Sequence, residues 1–403
     1  PASSGLFRNV NGAFVIDRDN LEELRNIGMV TSSQFADING DGHADLLLTR
    51  DWGSLVLLLN DGKGRLHRAA DSWGLGQWSS EWNGAAVGDL NGDGKLDIVA
   101  TSWGRNSGLA ADSARPLVLT YGLFGAGGEM EMLLGRADNR VKGLSPVNSF
   151  ARVRMAVNGV LTRVSTFSAF ADASVESILG SSMAQAQRLE ARTLDHMAFI
   201  NRGDHFDAVA LPAEAQWATA FTPAVADFDN DGHEDVFLSQ NFFPTVVGMP
   251  RHDEGRALLL TGDGKGALTP MPGQRSGLLV YGDQRGAAHA DYNGDGRLDL
   301  AVTQNGAATR LFVNQGAHAG LRVRVKGPAT NPDGVGAQLR VVYGATMGPV
   351  REVQSASGYL SQNGAVQVFG LSGAPTAIWV RWPGGATTTV PVSAGQREVT
   401  VQK

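Results

Sequence analysis

Short apolar runs separated by polar, glycine-rich loops set the rhythm of this chain. Leu46-Leu-Leu48, Ile98-Val-Ala100, Val236-Phe-Leu238 and Leu300-Ala-Val302 each follow an acidic loop. Runs of this length, bounded by turn residues, read as buried strands. A second set runs into glycine turns: Leu6-Phe-Arg-Asn9, Leu57-Leu-Leu-Asn60, Ala198-Phe-Ile-Asn201, Leu258-Leu-Leu-Thr261 and Leu311-Phe-Val-Asn314. The clearest of those turns are Asp61-Gly-Lys-Gly64 and Asp263-Gly-Lys-Gly266. Strand, acidic loop, strand, strand, glycine turn, strand makes a unit of four strands, and repeats of this kind predict propeller blades.

Two regions depart from that rhythm. Phe167, Phe170, Val175, Ile178, Leu179 and Met183 recur at helical intervals, which predicts a helical insert over about 165–195. It reads as a packing element over a blade edge, with a lid as the alternative. After Asn314-Gln-Gly316 the segments 321–325, 337–343, 350–353, 365–369, 377–382 and 398–401 alternate at period two. That predicts a small antiparallel sandwich. The division expected is 1–317 for the propeller and 318–403 for the β-domain.

The acidic loops share the pattern D-x-[DN]-x-D-G-x-x-D. Its copies carry Asp37, Asn39, Asp41 and Asp45; Asp89, Asn91, Asp93 and Asp97; Asp227, Asp229, Asp231 and Asp235; and Asp291, Asn293, Asp295 and Asp299. Ca²⁺ takes six to eight oxygens at ~2.3–2.6 Å, and a short loop supplies them only by turning back sharply at a glycine. The backbone carbonyls of His43, Lys95, His233 and Arg297 would be the position-7 ligands. An EF-hand would carry glutamate at position 12, where this chain has Leu48, Ala100, Leu238 and Val302. One such copy reads equally well as a metal-free hairpin turn. Four copies with the ninth aspartate intact point to about four calcium sites. Their spacings are 52, 138 and 64 residues, so the middle gap is expected to hold a blade without a complete site. Tyr121–Glu131 reads as a decayed loop in which Leu123, Gly125 and Gly127 replace the ligands and, of the ligand positions, only Glu131 stays acidic.

Composition narrows the function. At 403 residues with 42% hydrophobic and 18% charged residues the chain is a folded globular protein. It has no cysteine, which removes disulfides and thiolate chemistry. The net charge of −6 is accounted for by the loops, since four divalent cations would bring it to about +2. Nothing suggests nucleic-acid binding or a membrane span. The chain begins at Pro1, which fits a mature or trimmed form, and open calcium loops fill most easily outside the cytoplasm. A secreted or periplasmic monomer is expected.

The residues flanking the strands at the end opposite the loops are Trp52, Trp82, Trp103, Gln240, Asn241, Gln304 and Asn305, with Glu81 and Phe221 beside them. They suit a polar small molecule, a glycan or a protein ligand at the mouth of a propeller. The alternative is that the tryptophans fill the axial hole as core. No H-E-x-x-H, G-x-S-x-G or P-loop is present. An enzyme, of lyase, cyclase or hydrolase type, would use Asp51, Arg105, Asp283 or Arg285 at that mouth. A third possibility places binding in the tail, through Tyr359, Gln362, Trp379 or Trp382.

The loops and their following strands resemble the FG-GAP/VCBS repeats of integrin-type propellers. The tail, with Gly336-Ala-Gln-Leu-Arg340, Arg351-Glu-Val353, Ser357-Gly-Tyr-Leu-Ser-Gln362 and Val380-Arg-Trp-Pro-Gly-Gly385, is similar to the ASPIC/UnbV domain. Together they resemble the cartilage-acidic-protein-like family. The resemblance implies an all-β fold, a seven-bladed propeller with calcium in its blade loops and an appended β-domain. It carries over no catalytic motif. The chain departs from that pattern at 123–131, in the helical insert and at its start, which reads as the last half of a blade; if Pro1–Val15 completes a blade begun elsewhere in the chain, the ring would close by strand exchange.

Overall fold

The computed structural model describes residues 3–245 and 251–403, so Pro1 lies outside them. The chain is all-β with a few short helices. The repeat unit appears in four antiparallel sheets. The first is Met29–Ala36, Asp45–Asp51, Val56–Asn60 and Leu66–Arg68. The second is Gly84–Gly88, Asp97–Thr101, Met197–Asn201 and Phe206–Ala210. The third is Ala220–Ala226, Asp235–Gln240, Leu258–Gly262 and Leu268–Met271, and the fourth has three strands, Asp283–Ala290, Asp299–Asn305 and Ala307–Phe312.

The second strands are apolar runs rather than alternating ones because both of their faces are covered. All of Asp97–Thr101 and Asp235–Gln240 is buried. Leu47, Trp82, Ile98 and Phe199 form a core between the first and second sheets. Val99, Ile200, Val236 and Leu238 do the same between second and third, and Phe237, Leu259, Leu300 and Val302 between third and fourth. The sheets therefore stack face to face in chain order, which is a propeller-like repeat arrangement. Their first strands lie side by side along the inner edge. Two glycines permit that approach: a Cβ on Gly84 would sit 2.4 Å from Phe221 O, and one on Gly88 2.4 Å from Val225 Cγ1.

Four expectations are corrected. The long gap does not hold a separate blade. Residues 102–196 instead leave the second sheet after its second strand and return before its third. Within them lies another four-stranded sheet, ordered Leu144–Pro146, Met130–Ala137, Leu117–Leu123, Gln187–Ala191. The segment around Tyr121–Glu131 is a hairpin of that sheet, not the loop of an inner strand. The helices begin earlier and end earlier than 165–195. They span Phe150–Ala156, Val160–Arg163, Phe167–Ala171 and Val175–Leu179, seeded by caps at Ser149, Thr166 and Ser174. Gln187–Ala191 is a strand although its residues favour helix, because its backbone is claimed by Leu117–Tyr121. Finally, Phe7–Val10 and Ala13–Ile16 pair only with each other, so among the described residues the start of the chain does not complete another sheet.

The tail strands fall where period two placed them, with Thr346–Met347 and Thr387–Pro391 added. Two sheets enclose one core of Leu321, Val323, Leu339, Ile378, Val380, Trp382 and Val399. The sandwich is not wholly antiparallel, since Leu321–Lys326 pairs in parallel with Glu398–Gln402.

Candidate metal centres and the opposite face

Each acidic loop joins the first strand of its sheet to the second, and one hydrogen-bond pattern recurs in all four. The side-chain oxygen at position 3 accepts from the N–H at position 5, at 3.0 Å for Asn39, 2.9 Å for Asn91, 3.2 Å for Asp229 and 3.0 Å for Asn293. Asp41, Asp93, Asp231 and Asp295 accept from the N–H of His43, Lys95, His233 and Arg297 at 2.8, 2.9, 2.9 and 3.0 Å. Gly42, Gly94, Gly232 and Gly296 take φ of 91°, 87°, 95° and 81°, a conformation other residues reach only with strain. Their N–H groups donate to Oδ2 of the first aspartate at 2.9, 2.9, 3.0 and 2.9 Å.

The ninth aspartate staples the loop to the sheet. Asp235 accepts from Phe228 N and Asp229 N at 2.8 and 3.3 Å on one oxygen and from Gly262 N at 2.9 Å on the other. Asp45, Asp97 and Asp299 likewise accept from Asn60 N, Asn201 N and Asn314 N at 2.8, 2.7 and 2.9 Å. Two of those asparagines also reach the preceding sheet. Asn201 Nδ2 donates to Ile38 O at 2.9 Å and Asn314 Nδ2 to Phe228 O at 2.7 Å. The asparagine at or just after the end of each such strand is visible in the sequence, and this is its role.

Several loop carboxylates are buried without enough compensation. Asp37 Oδ1 and Asp89 Oδ1 have no partner at all. Asp227, Asp229 and Asp235 bring one oxygen each within 4.8 Å of the others. Burial, the largest influence, raises the proton affinity of Asp45 and Asp89 to about 6, Asp97 and Asp227 to about 7, and Asp235 to about 8. Oxygen donors so placed could hold a hard cation. The position-7 side chains divide: Lys95 Nζ and Arg297 Nη1 donate to the position-5 aspartates Asp93 and Asp295 at 3.2 and 2.9 Å, while the two histidine rings turn away. A Cβ on Gly62 would come within 2.7 Å of the His43 ring, and one on Gly264 within 2.1 Å of His233, so both rings lie over glycine turns.

At the opposite end the expected groups disperse. Asp283 and Arg285 form an ion pair, and Arg285 stacks 3.9 Å over Phe221 with Asn305 beside the pair. Arg105 instead pairs with Asp195 at 2.6 Å. Trp82 is fully buried core against Phe199, while Trp103 sits edge-on to Phe242 and His252. Trp52 is half-buried at φ 54° and packs on the inserted sheet. Asn241 is held by Gly255 and Gly282, Gln240 Oε1 accepts from Arg256 N, and Gln304 donates to Ala308 O. A segment of the tail runs along the first strands of the sheets here. Gly358 O accepts from Ser32 at 2.8 Å, Tyr359 O from Thr222 at 2.8 Å, and Ser361 Oγ from Ala287 N at 3.0 Å. Tyr359 packs on Phe221, Trp382 is core, Trp379 is half-buried and Gln362 exposed.

Asp51 faces a carboxyl that sequence reasoning placed only in passing. Glu81 is buried and its side chain makes no hydrogen bond or ion pair among the described residues. Burial, then the charge of Asp51, raises it to about 8, and burial raises Asp51 to about 6. Stability from a carboxyl raised in this way is present at low pH and lost as pH rises through the folded value. Glu81→Gln is therefore expected to match wild type near pH 5 and to melt several degrees higher at pH 9. Equal melting curves at pH 9 would show that Glu81 is not held in a desolvated site.

Comparison with known proteins agrees with the repeat and the tail. Residues 37–100 match the FG-GAP-like repeat family and residues 327–403 match the ASPIC and UnbV family. A search of curated proteins found no match. Among solved structures, an exotype rhamnogalacturonan lyase, YesX, is similar at a TM-score of 0.29 and 13% identity over 90% of this chain. This chain spans 55% of that protein's length, and so slight a likeness carries no argument. The chain thus carries an FG-GAP-like repeat followed by an ASPIC/UnbV domain.

Proposed function

We propose that this chain is an exported, calcium-binding β-propeller that acts outside the cytoplasm as a ligand-binding or interaction module. The observation that carries the reading is the repeated loop with buried, under-compensated carboxylate oxygens, above all the partnerless Oδ1 atoms of Asp37 and Asp89 and the Asp227, Asp229, Asp235 cluster. A hard cation would satisfy them in the first three loops, and the fourth repeats the same ligand pattern and turn geometry. Side chains at positions 1, 3, 5 and 9 and the carbonyl at position 7 would hold it. Its contribution is neutralisation and bracing rather than reaction chemistry. In this reading the four sheets are consecutive blades of a seven-bladed ring, with the propeller at 1–317 and the β-domain at 318–403.

The FG-GAP-like repeat and the ASPIC/UnbV domain together point to an interaction module. An active site at the mouth is the weaker reading, because Asp283 is committed to Arg285 and Arg105 to Asp195. The ligand would be a polar small molecule, a glycan or a protein. No helix among the described residues is long and apolar enough to cross a membrane. Extracellular calcium suits loops of moderate affinity. Elemental analysis of dialysed protein, paired with calorimetric titration of the stripped chain, is expected to give about four calcium ions per chain and little response to magnesium. One ion or none would overturn the calcium reading.

A further inference from the structure

The first aspartate of every acidic loop is met by a donor from the tail, and always on the same oxygen. Asp37 Oδ2 accepts from Arg381 Nη2 at 2.5 Å. Asp89 Oδ2 accepts from Val350 N at 2.9 Å, and Asp227 Oδ2 from Gly370 N at 3.0 Å. Asp291 Oδ2 accepts from Arg322 Nε at 2.7 Å. Each of these oxygens also takes the N–H of the loop's own glycine, so it is fully occupied on the side away from the loop centre. The other oxygen is the one left partnerless in Asp37 and Asp89.

Two of the donors are guanidinium groups and two are backbone amides, drawn from four separate places in the tail. Chance contact of a docked domain would not select one oxygen four times with unlike chemistry. Further bonds seat the tail on the same loops. Gly384 N donates to Gly42 O at 2.9 Å, Gly320 N to Gly296 O at 2.7 Å, and Glu352 accepts from Asp37 N at 3.1 Å.

We propose that the ASPIC/UnbV tail supplies the outer shell of all four cation loops, so that cation binding and tail docking are one linked equilibrium. The inference rests on the calcium reading above. A ligating carboxylate is aimed by the hydrogen bond on its other oxygen, and loss of such a partner typically lowers metal affinity about 10- to 100-fold. Linkage makes the effect reciprocal: whatever undocks the tail weakens the cation by the same factor that cation removal weakens docking. With the cation gone, like-charged carboxylates crowd the loop, and relief of that repulsion moves the oxygen on which the tail is seated.

Arg381→Met separates positioning from simple charge. Removing a positive charge beside a cation site strengthens cation binding if charge alone matters, and weakens it if the arginine aims Asp37. Gly370→Ala tests the amide contact. The three atoms nearest an added Cβ are Asn230 C at 2.3 Å, Asp227 Oδ2 at 2.3 Å and Asn230 O at 2.5 Å, all from the loop and none from the tail. The substitution is thus a wedge at the junction that leaves the tail core intact.

The experiment titrates calcium into the full-length wild type, Arg381→Met, Arg381→Lys and Gly370→Ala by calorimetry, with hydrogen exchange followed in parallel. Arg381→Met and Gly370→Ala are each expected to weaken one site about tenfold or more, with Arg381→Lys partly restored. Chelation of the wild type is expected to speed exchange at Val350 and Gly370 at least tenfold while Ile378–Val380 stays protected. Unchanged or tighter calcium binding in both variants would overturn the proposal, as would exchange at Val350 and Gly370 indifferent to calcium in a wild type that binds it. A wild type that binds no calcium would bring down the calcium reading itself, and the proposal with it.

Discussion

Chelation of calcium with EGTA is expected to lower the melting temperature of this protein by at least about 15 °C. The magnitude follows from mass action. An ion present at 100 times its dissociation constant stabilises the folded chain by about 2.7 kcal/mol per site, so four sites approach the entire stability of an ordinary domain. The structure indicates why the loss would be so large. Asp45, Asp89, Asp97, Asp227 and Asp235 are buried carboxylates that favour a proton when no cation is near. Without the cation they must be protonated, crowd one another as charges, or open the loop. Scanning calorimetry in calcium and in EGTA at pH 7.5 checks this. A melting temperature unmoved by EGTA would identify the loops as turns held by hydrogen bonds alone.

Asp235→Ala carries the second largest effect, and it persists in saturating calcium. The carboxylate, itself fully buried, holds three backbone N–H groups, of Phe228, Asp229 and Gly262, the first buried and the other two partly so. Removing it strands all three, at about 1–3 kcal/mol for each buried donor left unmade. A loss on the order of 4 kcal/mol is expected, along with the ion of the third loop. Asp235→Asn recovers only part, because its NH₂ must face those donors. Asp61→Ala, in an exposed glycine turn, serves as control and is expected to change little. A denaturant midpoint for Asp235→Ala equal to that of the control would show that the ninth position does not brace the blade.

The acidic loops and the strands around them were legible in the sequence because all their information is local. A glycine at positive φ, a side chain accepting from an amide two residues on, and an apolar run in the next strand lie within a dozen residues. The tail strands were legible for the same reason, since one face of each is buried against a single core. The insertion was not. Nothing near Thr101 indicates that the next strand of its sheet begins at Met197, because the pairing of Val99 with Ala198 is decided by packing across the insert. Gln187–Ala191 was misread because propensity yielded to a partner strand. The tail's hold on the loops was invisible too. Arg322 and Arg381 follow no spacing, and the other two of the four donors are plain amides that any residue offers.

The insert of residues 102–196 bears on how the second sheet is assembled. Its ends meet: Ser102 N donates to the His196 ring at 2.8 Å and Gly104 N to Leu194 O at 2.7 Å. A flexible loop of that length would charge the sheet a closure entropy that grows with the logarithm of its length. Here the intervening residues have a sheet and a core of their own, with Leu133, Val153, Val175 and Ile178 inside it. Once that unit folds, Thr101 and Met197 are delivered to each other as the two ends of a rigid clip. The second sheet is then completed by docking two prepared strands rather than by a search along the backbone, and the most distant pairing in the repeat becomes a local event.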